Sequence, residues 1–152
     1  MIAPPSALRT DSSGFTLVEL LIVLALAAIV LGAAWPLGRR SLDRLHVVTA
    51  REELFGLVYR ARGIATRTGS AMVTVDVDTG RAVLVDGRGR EMTRVELGSR
   101  RVAVATTGSA STVALRWNGL GWGVLSSRTL VLRRGEAEAR LVVSSRGRAS
   151  RR

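Results

Sequence analysis

SSGFTLVELLIVLALAAIVLGAAWPL, running from Ser12 to Leu37, is apolar almost without interruption after Gly14, yet Glu19 places a carboxylate four residues past Phe15. From Leu20 to Leu37 there are 18 uncharged residues in a row, and Phe15 to Val18 extend the run upstream. A helix of about 20 apolar residues is long enough to cross a hydrocarbon core of about 30 Å. A cleaved secretory signal, an ordinary signal anchor and a special N-terminal helix that later leaves the membrane all fit that length. The acid helps to choose between them. A carboxylate costs about 2.5–3.5 kcal/mol at a helix centre on the insertion scale, less near an interface, so its retention asks for a partner. A plain signal peptide gains nothing from it.

Beyond Pro36 the pattern turns amphipathic. Val47, Ala50, Leu54, Leu57, Ala61 and Ile64 recur at steps of three and four, with Val58 and Ala65 widening the stripe, while Arg51, Glu52, Arg60, Arg62 and Arg67 take other faces. The spacing predicts that the helix continues to about Thr68-Gly69, where glycine supplies a stop. The period then becomes two: Val73, Val75 and Val77 alternate with Thr74, Asp76 and Asp78, and Asp78-Thr79-Gly80 turns the chain into Arg81 to Asp86. Further strands are expected at Thr93 to Leu97, Arg101 to Thr106, Thr112 to Trp117, Trp122 to Leu125, Thr129 to Arg133 and Ala139 to Ser144, most of them separated by glycine-containing turns. One long helix followed only by short strands implies an α+β fold in which antiparallel sheet covers the amphipathic half of the helix.

The chain has 152 residues, which after the hydrophobic segment leaves roughly 115 for a single modest domain. All 23 basic residues are arginines, and against 12 acids they give a formal charge of +11. Such a surplus favours anionic partners but speaks to association rather than fold. With no cysteine, disulfides, thiolate metal sites and cysteine nucleophiles are excluded.

The residues Gly14-Phe15-Thr16-Leu17-Val18-Glu19-Leu20-Leu21 resemble the cleavage and methylation motif of type IV prepilins and type II secretion pseudopilins. The resemblance implies that a prepilin peptidase cuts between Gly14 and Phe15 and N-methylates Phe15. It implies that Glu19 pairs, within an apolar filament core, with the terminal amine of a neighbouring subunit. A buried charge is tolerable when paired, and pairing of this kind sets register more than it adds stability. Pro36 stands where the family often has a proline that bends the helix, and it also suits the end of a membrane span. The expected organisation is a leader at 1–14, a transmembrane and filament-core helix at 15–37, its amphipathic continuation at 38–69, a β-rich domain at 70–145 and a basic tail at 146–152. Arg39, Arg40 and Arg44 follow the span, which by the positive-inside rule alone would put the domain in the cytoplasm. The motif instead implies a single-pass protein of the bacterial inner membrane with a periplasmic domain. Its implied partners are lipid before assembly, major and minor pseudopilins and the inner-membrane assembly platform.

In pattern the distal part is similar to the GspH/FimT minor pseudopilins, through the helix length, the many short strands and the ending Val142-Val143-Ser144-Ser145-Arg146-Gly147-Arg148. No catalytic, cofactor or metal constellation stands out. His46 is the sole histidine and reads as a surface or packing residue, Glu52-Glu53 and Asp76-Asp78 read as solvated faces, and Gly119, Gly121 and Gly123 read as turn glycines. Arg146, Arg148, Arg151 and Arg152 could neutralise phosphates. Some FimT-like proteins bind DNA through a C-terminal Gly-Arg-any-Arg motif, and the resemblance offers DNA uptake as the alternative function. Here Gly147-Arg148-Ala149-Ser150 lacks the second arginine, and the tail has no aromatic residue on which a base could stack.

Overall fold

The structure, a computed structural model, describes residues 15–108, 110–124 and 127–151, except for the side chain of Leu37. The chain divides into two compact units, Met1–Leu37 and Gly38–Arg152. Helix α1 spans Leu17–Thr68 and contains Pro36. Within the first unit, every described side chain from Phe15 to Pro36 is exposed.

In the second unit, α1 buries the stripe that its periodicity predicts: Val47, Ala50, Leu54, Leu57, Val58, Ala61, Ile64 and Ala65 all lie in one hydrophobic core. Each fully buried leucine of that stripe contributes about 1.5–3 kcal/mol relative to its exposed state. The helix stops where expected. Gly69 takes φ +88°, and its N–H donates to Ala65 O at 2.9 Å, so a residue free to adopt the left-handed region satisfies a terminal carbonyl.

Two antiparallel four-stranded sheets supply the rest of the core. The first, ordered β3-β2-β1-β5, comprises β1 (Ser70–Asp76), β2 (Arg81–Asp86), β3 (Glu91–Glu96) and β5 (Thr112–Asn118). The second, ordered β4-β6-β7-β8, comprises β4 (Ala103–Thr106), β6 (Arg128–Arg134), β7 (Ala137–Val143) and β8 (Ala149–Arg151). Alternation decides which side chains face inward: Ala71, Val73 and Val75 from β1, Val113, Leu115 and Trp117 from β5, Leu130 and Leu132 from β6, and Ala139, Leu141 and Val143 from β7 are buried.

One loop design recurs. At Asp86–Arg90, Asn118–Trp122 and Ser144–Arg148, the first residue's carbonyl accepts the N–H of a glycine three residues on, at 3.0, 2.8 and 2.8 Å. The side chain of the same first residue accepts the N–H of the fifth, at 2.9, 3.0 and 3.2 Å. This closes a turn whose last residue must be left-handed, the arrangement of a three-residue loop with a bulge. Asp86 goes furthest. Its side chain is inaccessible to solvent, and it also accepts the Arg88 N–H at 2.9 Å and the Arg90 Nε–H at 3.0 Å. The Arg90 amide above all, then the Arg88 amide and the Arg90 guanidinium, hold its carboxyl below the usual range despite burial.

Three expectations are corrected. Trp122 to Leu125 is not a strand in the part described: a single bridge, Trp117 to Gly123, is formed there. The Leu120 and Trp122 amides turn inward to the Asn118 side chain and the Gly123 amide donates to Arg146 O at 3.0 Å, so pairing with β5 is reduced to the bonds flanking the bridge, Asn118 N–H to Trp122 O at 3.0 Å and Val124 N–H to Arg116 O at 2.9 Å. The chain end, expected as a basic tail from residue 146, instead returns as β8, pairing Leu141, Val142 and Val143 with Arg151, Ser150 and Ala149. Glu52 and Glu53 are not simply solvated, since Glu52 pairs with Arg51 at 3.0 Å and with Arg151 at 2.9 Å, and Glu53 pairs with Arg100 at 2.6 Å. Asp76 also acts locally, because its carboxylate accepts the Asp78 and Thr79 amides at 3.0 Å each and so shapes the β1–β2 turn.

Candidate assembly helix and C-terminal basic hairpin

Thr16 caps α1. Its Oγ1 accepts the Glu19 N–H at 3.2 Å, and its carbonyl accepts the Leu20 N–H at 3.1 Å. Thr16 and Glu19 thus have the spacing of a capping box, with the acid in the first turn, where the helix dipole favours negative charge by about 0.3–1 kcal/mol. The capping spacing was readable in Thr16-Leu17-Val18-Glu19, and it adds a local role for Glu19 that the search for a distant partner overlooks. That contribution is small beside the cost of a bare carboxylate in hydrocarbon, so the cap alone does not account for the acid's position. Phe15 precedes the cap and is 78% exposed, which leaves the residue at the expected cleavage point accessible; Gly14 lies outside the described residues.

Exposure along the rest of the first unit is as telling. Leu17, Leu20, Leu21, Ile22, Val23, Leu24, Leu26 and Ile29 are each more than half exposed, and none of the most apolar window of the helix is buried. An apolar surface of this extent, open on all faces, requires lipid or other apolar chains around it. Pro36 sits within α1 and has no N–H to offer the Gly32 carbonyl, so one rung of the helix ladder is missing four residues after a glycine.

At the other end, Ser144–Arg148 joins β7 to β8 and is seated on the core. Gly147 has φ +77°, and its carbonyl accepts the Nε1–H of the buried Trp117 at 3.3 Å. A Cβ on Gly147 would collide with the Trp117 ring and with the Gly123 amide. The glycine is therefore required twice, by its backbone region and by the close approach of the indole.

Among the described residues, the C-terminal arginines do not all serve one basic surface. Arg151 is committed to α1: its Nη2 pairs with Glu52, and its guanidinium stacks over Phe55 with Cζ 4.1 Å from the ring centroid. A stacked cation of this kind is worth about 0.5–1 kcal/mol near the surface and is not free for a phosphate. Arg146 and Arg148 are exposed, and Arg152 lies outside the described residues. Arg148 instead shares a shallow cleft with Tyr59 and Arg62 of α1. Tyr59 is 74% exposed, so an aromatic residue absent from the tail in sequence is brought beside it in space. The Glu52–Phe55 spacing of three, one helix face carrying an acid and a ring, was the only local signal for the Arg151 seat. His46 is half-buried on α1, and among the described residues no cluster of His, Asp and Glu has the geometry of a metal site.

Residues 9–35 match the prokaryotic N-terminal methylation motif. No curated protein sequence matches the chain. The fold is similar to the type IV minor pilin FimU of Pseudomonas aeruginosa, with a TM-score of 0.58 at 15% identity over 72% of this chain and 90% of that one. It is also similar to the minor pseudopilin EpsH from the type 2 secretion system of Vibrio cholerae, with a TM-score of 0.56 at 12% identity over 70% of this chain and 96% of that one. At such identities the likeness is one of fold: a long N-terminal helix packed on antiparallel sheets. The methylation motif stands at the start of that helix, so the chain joins a prokaryotic N-terminal methylation motif to a fold similar to that of the minor pilin and the minor pseudopilin.

Proposed function

We propose that the protein is a minor pseudopilin of the GspH/FimT kind, a structural subunit of a type II secretion pseudopilus or a related type IV pilus. The single observation that carries this reading is Glu19, an acid in the first turn of a helix whose described apolar side chains are all exposed up to Pro36. In this reading the chain enters the bacterial inner membrane with its globular unit on the periplasmic side, and prepilin peptidase cuts after Gly14 and methylates Phe15. An assembly platform then moves the helix from lipid into a bundle of other pseudopilins. There the Glu19 carboxylate meets a neighbour's amine, which converts two costly isolated charges into a pair. Pro36, with its missing rung, lets the helix bend or open as it packs. No catalytic step is assigned.

The mature chain purified from membranes that contain the peptidase is expected to begin at Phe15, with an intact mass one methyl group above that of unmodified residues 15–152. Retention of Met1 to Gly14 there, or a mature start elsewhere, would defeat the proposal.

The second reading is a minor pilin that binds DNA, and one observation favours it: Arg62, Arg148 and Tyr59 line one cleft, a pairing of cations with a stacking surface. The commitment of Arg151 to Glu52 and Phe55 weighs against it. Full-length protein in neutral detergent can be titrated with duplex DNA at two salt concentrations beside the variant Arg62→Gln/Arg146→Gln/Arg148→Gln. A DNA receptor loses about 0.9 of salt slope for each phosphate contact removed. We expect weak binding that the three substitutions leave unchanged, which is the general attraction of a +11 chain; a steep slope that collapses in the variant would instead establish the second reading.

A further inference from the structure

Tyr59 and Arg62 stand three residues apart on α1, so their side chains are neighbours on one exposed face of the helix. Two loops meet them there. The Ser144–Arg148 loop brings Arg148, and the three side chains share a cleft of about 230 Å³ with Phe55 and Val58. The Asn118–Trp122 loop lies against the next turn, since a Cβ on Gly121 would meet Arg62 Cγ and Thr66 Cγ2 at 3.2 Å each. A second hollow of about 250 Å³, lined by Tyr59, Arg62, Gly63 and Thr66, continues the first. Tyr59 and Arg62 border both, so the groove has room for more than one side chain.

The cations of this groove are positioned but not spent. The Arg148 N–H donates to Ser144 Oγ at 3.2 Å, and the Arg148 carbonyl accepts the Ser144 N–H at 2.9 Å, which fixes its backbone at both ends. The Arg62 stem rests against the Gly121 turn. Neither guanidinium forms a hydrogen bond or ion pair with a described residue, in contrast to Arg151, and no acid lines either hollow. Arginines held in place lose little freedom on meeting a carboxylate, which the guanidinium fork matches in geometry as well as in charge.

The apolar part of the surface decides what kind of partner fits. Val58 is buried in the floor of the cleft, and Leu120 and Trp122, on either side of Gly121, are exposed. Tyr, Trp and Arg are the residue types that carry most binding energy between proteins, where an anchor fills a pocket beside them. A duplex backbone offers no side chain to such a floor and gains nothing from Leu120. A second copy of this chain would bring a net charge of +11 against the same arginines.

We propose that the groove along Tyr59, Arg62 and Arg148 docks an acidic segment of a partner protein, one that carries a large apolar side chain between carboxylates. The carboxylates meet Arg62 and Arg148, and the apolar side chain lies against Tyr59 over Val58. The surface belongs to the globular unit, so this inference stands whether or not the N-terminal helix is processed as proposed above.

The probe is a fluorescein-labelled peptide with glutamates on both sides of one phenylalanine, titrated by anisotropy against full-length protein in neutral detergent at physiological salt. Wild type is expected to bind it more tightly than the same peptide with glutamine for glutamate, or with alanine for phenylalanine. Arg62→Gln/Arg148→Gln is expected to weaken binding by on the order of tenfold. Tyr59→Ala is expected to weaken it by roughly threefold to tenfold through the lost ring contact, and Tyr59→Phe to restore it. A control, Arg88→Gln/Arg116→Gln, removes the same charge from exposed positions elsewhere and is expected to stay within about twofold of wild type. Circular dichroism checks that all variants fold alike. Equal loss in the control would mark general attraction to a +11 chain and overturns the proposal. Equal affinity for the peptide without phenylalanine overturns it too. So does a duplex oligonucleotide that displaces the peptide and whose own binding falls in Arg62→Gln/Arg148→Gln but not in the control, which would assign the groove to nucleic acid.

Discussion

Glu19→Ala is expected to leave the precursor inserted and cleaved but to lower its incorporation into the filament by on the order of tenfold or more, measured by co-purification with the major pseudopilin. The magnitude follows from charge pairing. Removing one member of a buried pair strands the other, at a cost of about 3–5 kcal/mol, of which a helical filament with many contacts can absorb part. The local role of Glu19 predicts something different. Loss of a favourable acid in the first turn costs about 0.3–1 kcal/mol and leaves the Thr16 cap in place, since Thr16 Oγ1 accepts the backbone N–H of residue 19. If Glu19 served the helix end alone, Glu19→Ala and wild type would therefore incorporate equally, and that result would remove the pairing role. Gly14→Ala separates the steps: it is expected to abolish cleavage, because the peptidase meets a methyl group at its cut site, and so to leave Glu19 without a mature neighbouring amine to find.

Trp117→Ala is expected to destabilise the globular unit by about 3–5 kcal/mol, a large share of the 5–15 kcal/mol that typically holds a domain together. Trp117 is 1% exposed, the largest of the fully buried side chains, and its indole N–H is the hydrogen bond that seats the Gly147 carbonyl. Truncation opens a cavity beneath the Ser144–Arg148 loop and leaves the Gly147 carbonyl without that donor. Denaturant unfolding of the full-length chain in neutral detergent, followed by far-ultraviolet circular dichroism, reads the change directly. Trp122→Ala, at a position 54% exposed, is the contrast and is expected to shift stability by less than about 1 kcal/mol. Similar shifts for the two variants would mean that Trp117 does not hold the hairpin to the core.

These two residues also mark how far the sequence could be read. Thr16, Glu19 and the exposed apolar run are consecutive or nearly so, and their meaning follows from helix geometry and the cost of charge in hydrocarbon. The stripe from Val47 to Ala65 was legible for the same reason, because helical periodicity is written locally and burial follows it residue by residue. Most strands were legible from alternation. The seat of Gly147 on Trp117 was not, since the contact joins positions 30 residues apart and neither residue signals the other.

By itself, then, the sequence determined the apolar helix with its early acid, the change from helical to twofold periodicity at Gly69, and the α+β class, each a matter of short-range pattern. The tertiary structure alone decided the fate of the arginines. Three residues, Ala149 to Arg151, are too few to announce a strand by alternation, yet pairing with β7 turns a basic tail into an edge. That pairing carries Arg151 onto Glu52 and Phe55, which engage a guanidinium that stays half exposed. The β6–β7 turn likewise brings Glu136 to Arg40 and Arg134 to Asp43. A charge becomes a structural tie or an available site according to which opposite charge the fold sets within reach, and with electrostatic energy falling off with separation in space, order along the chain does not reveal it.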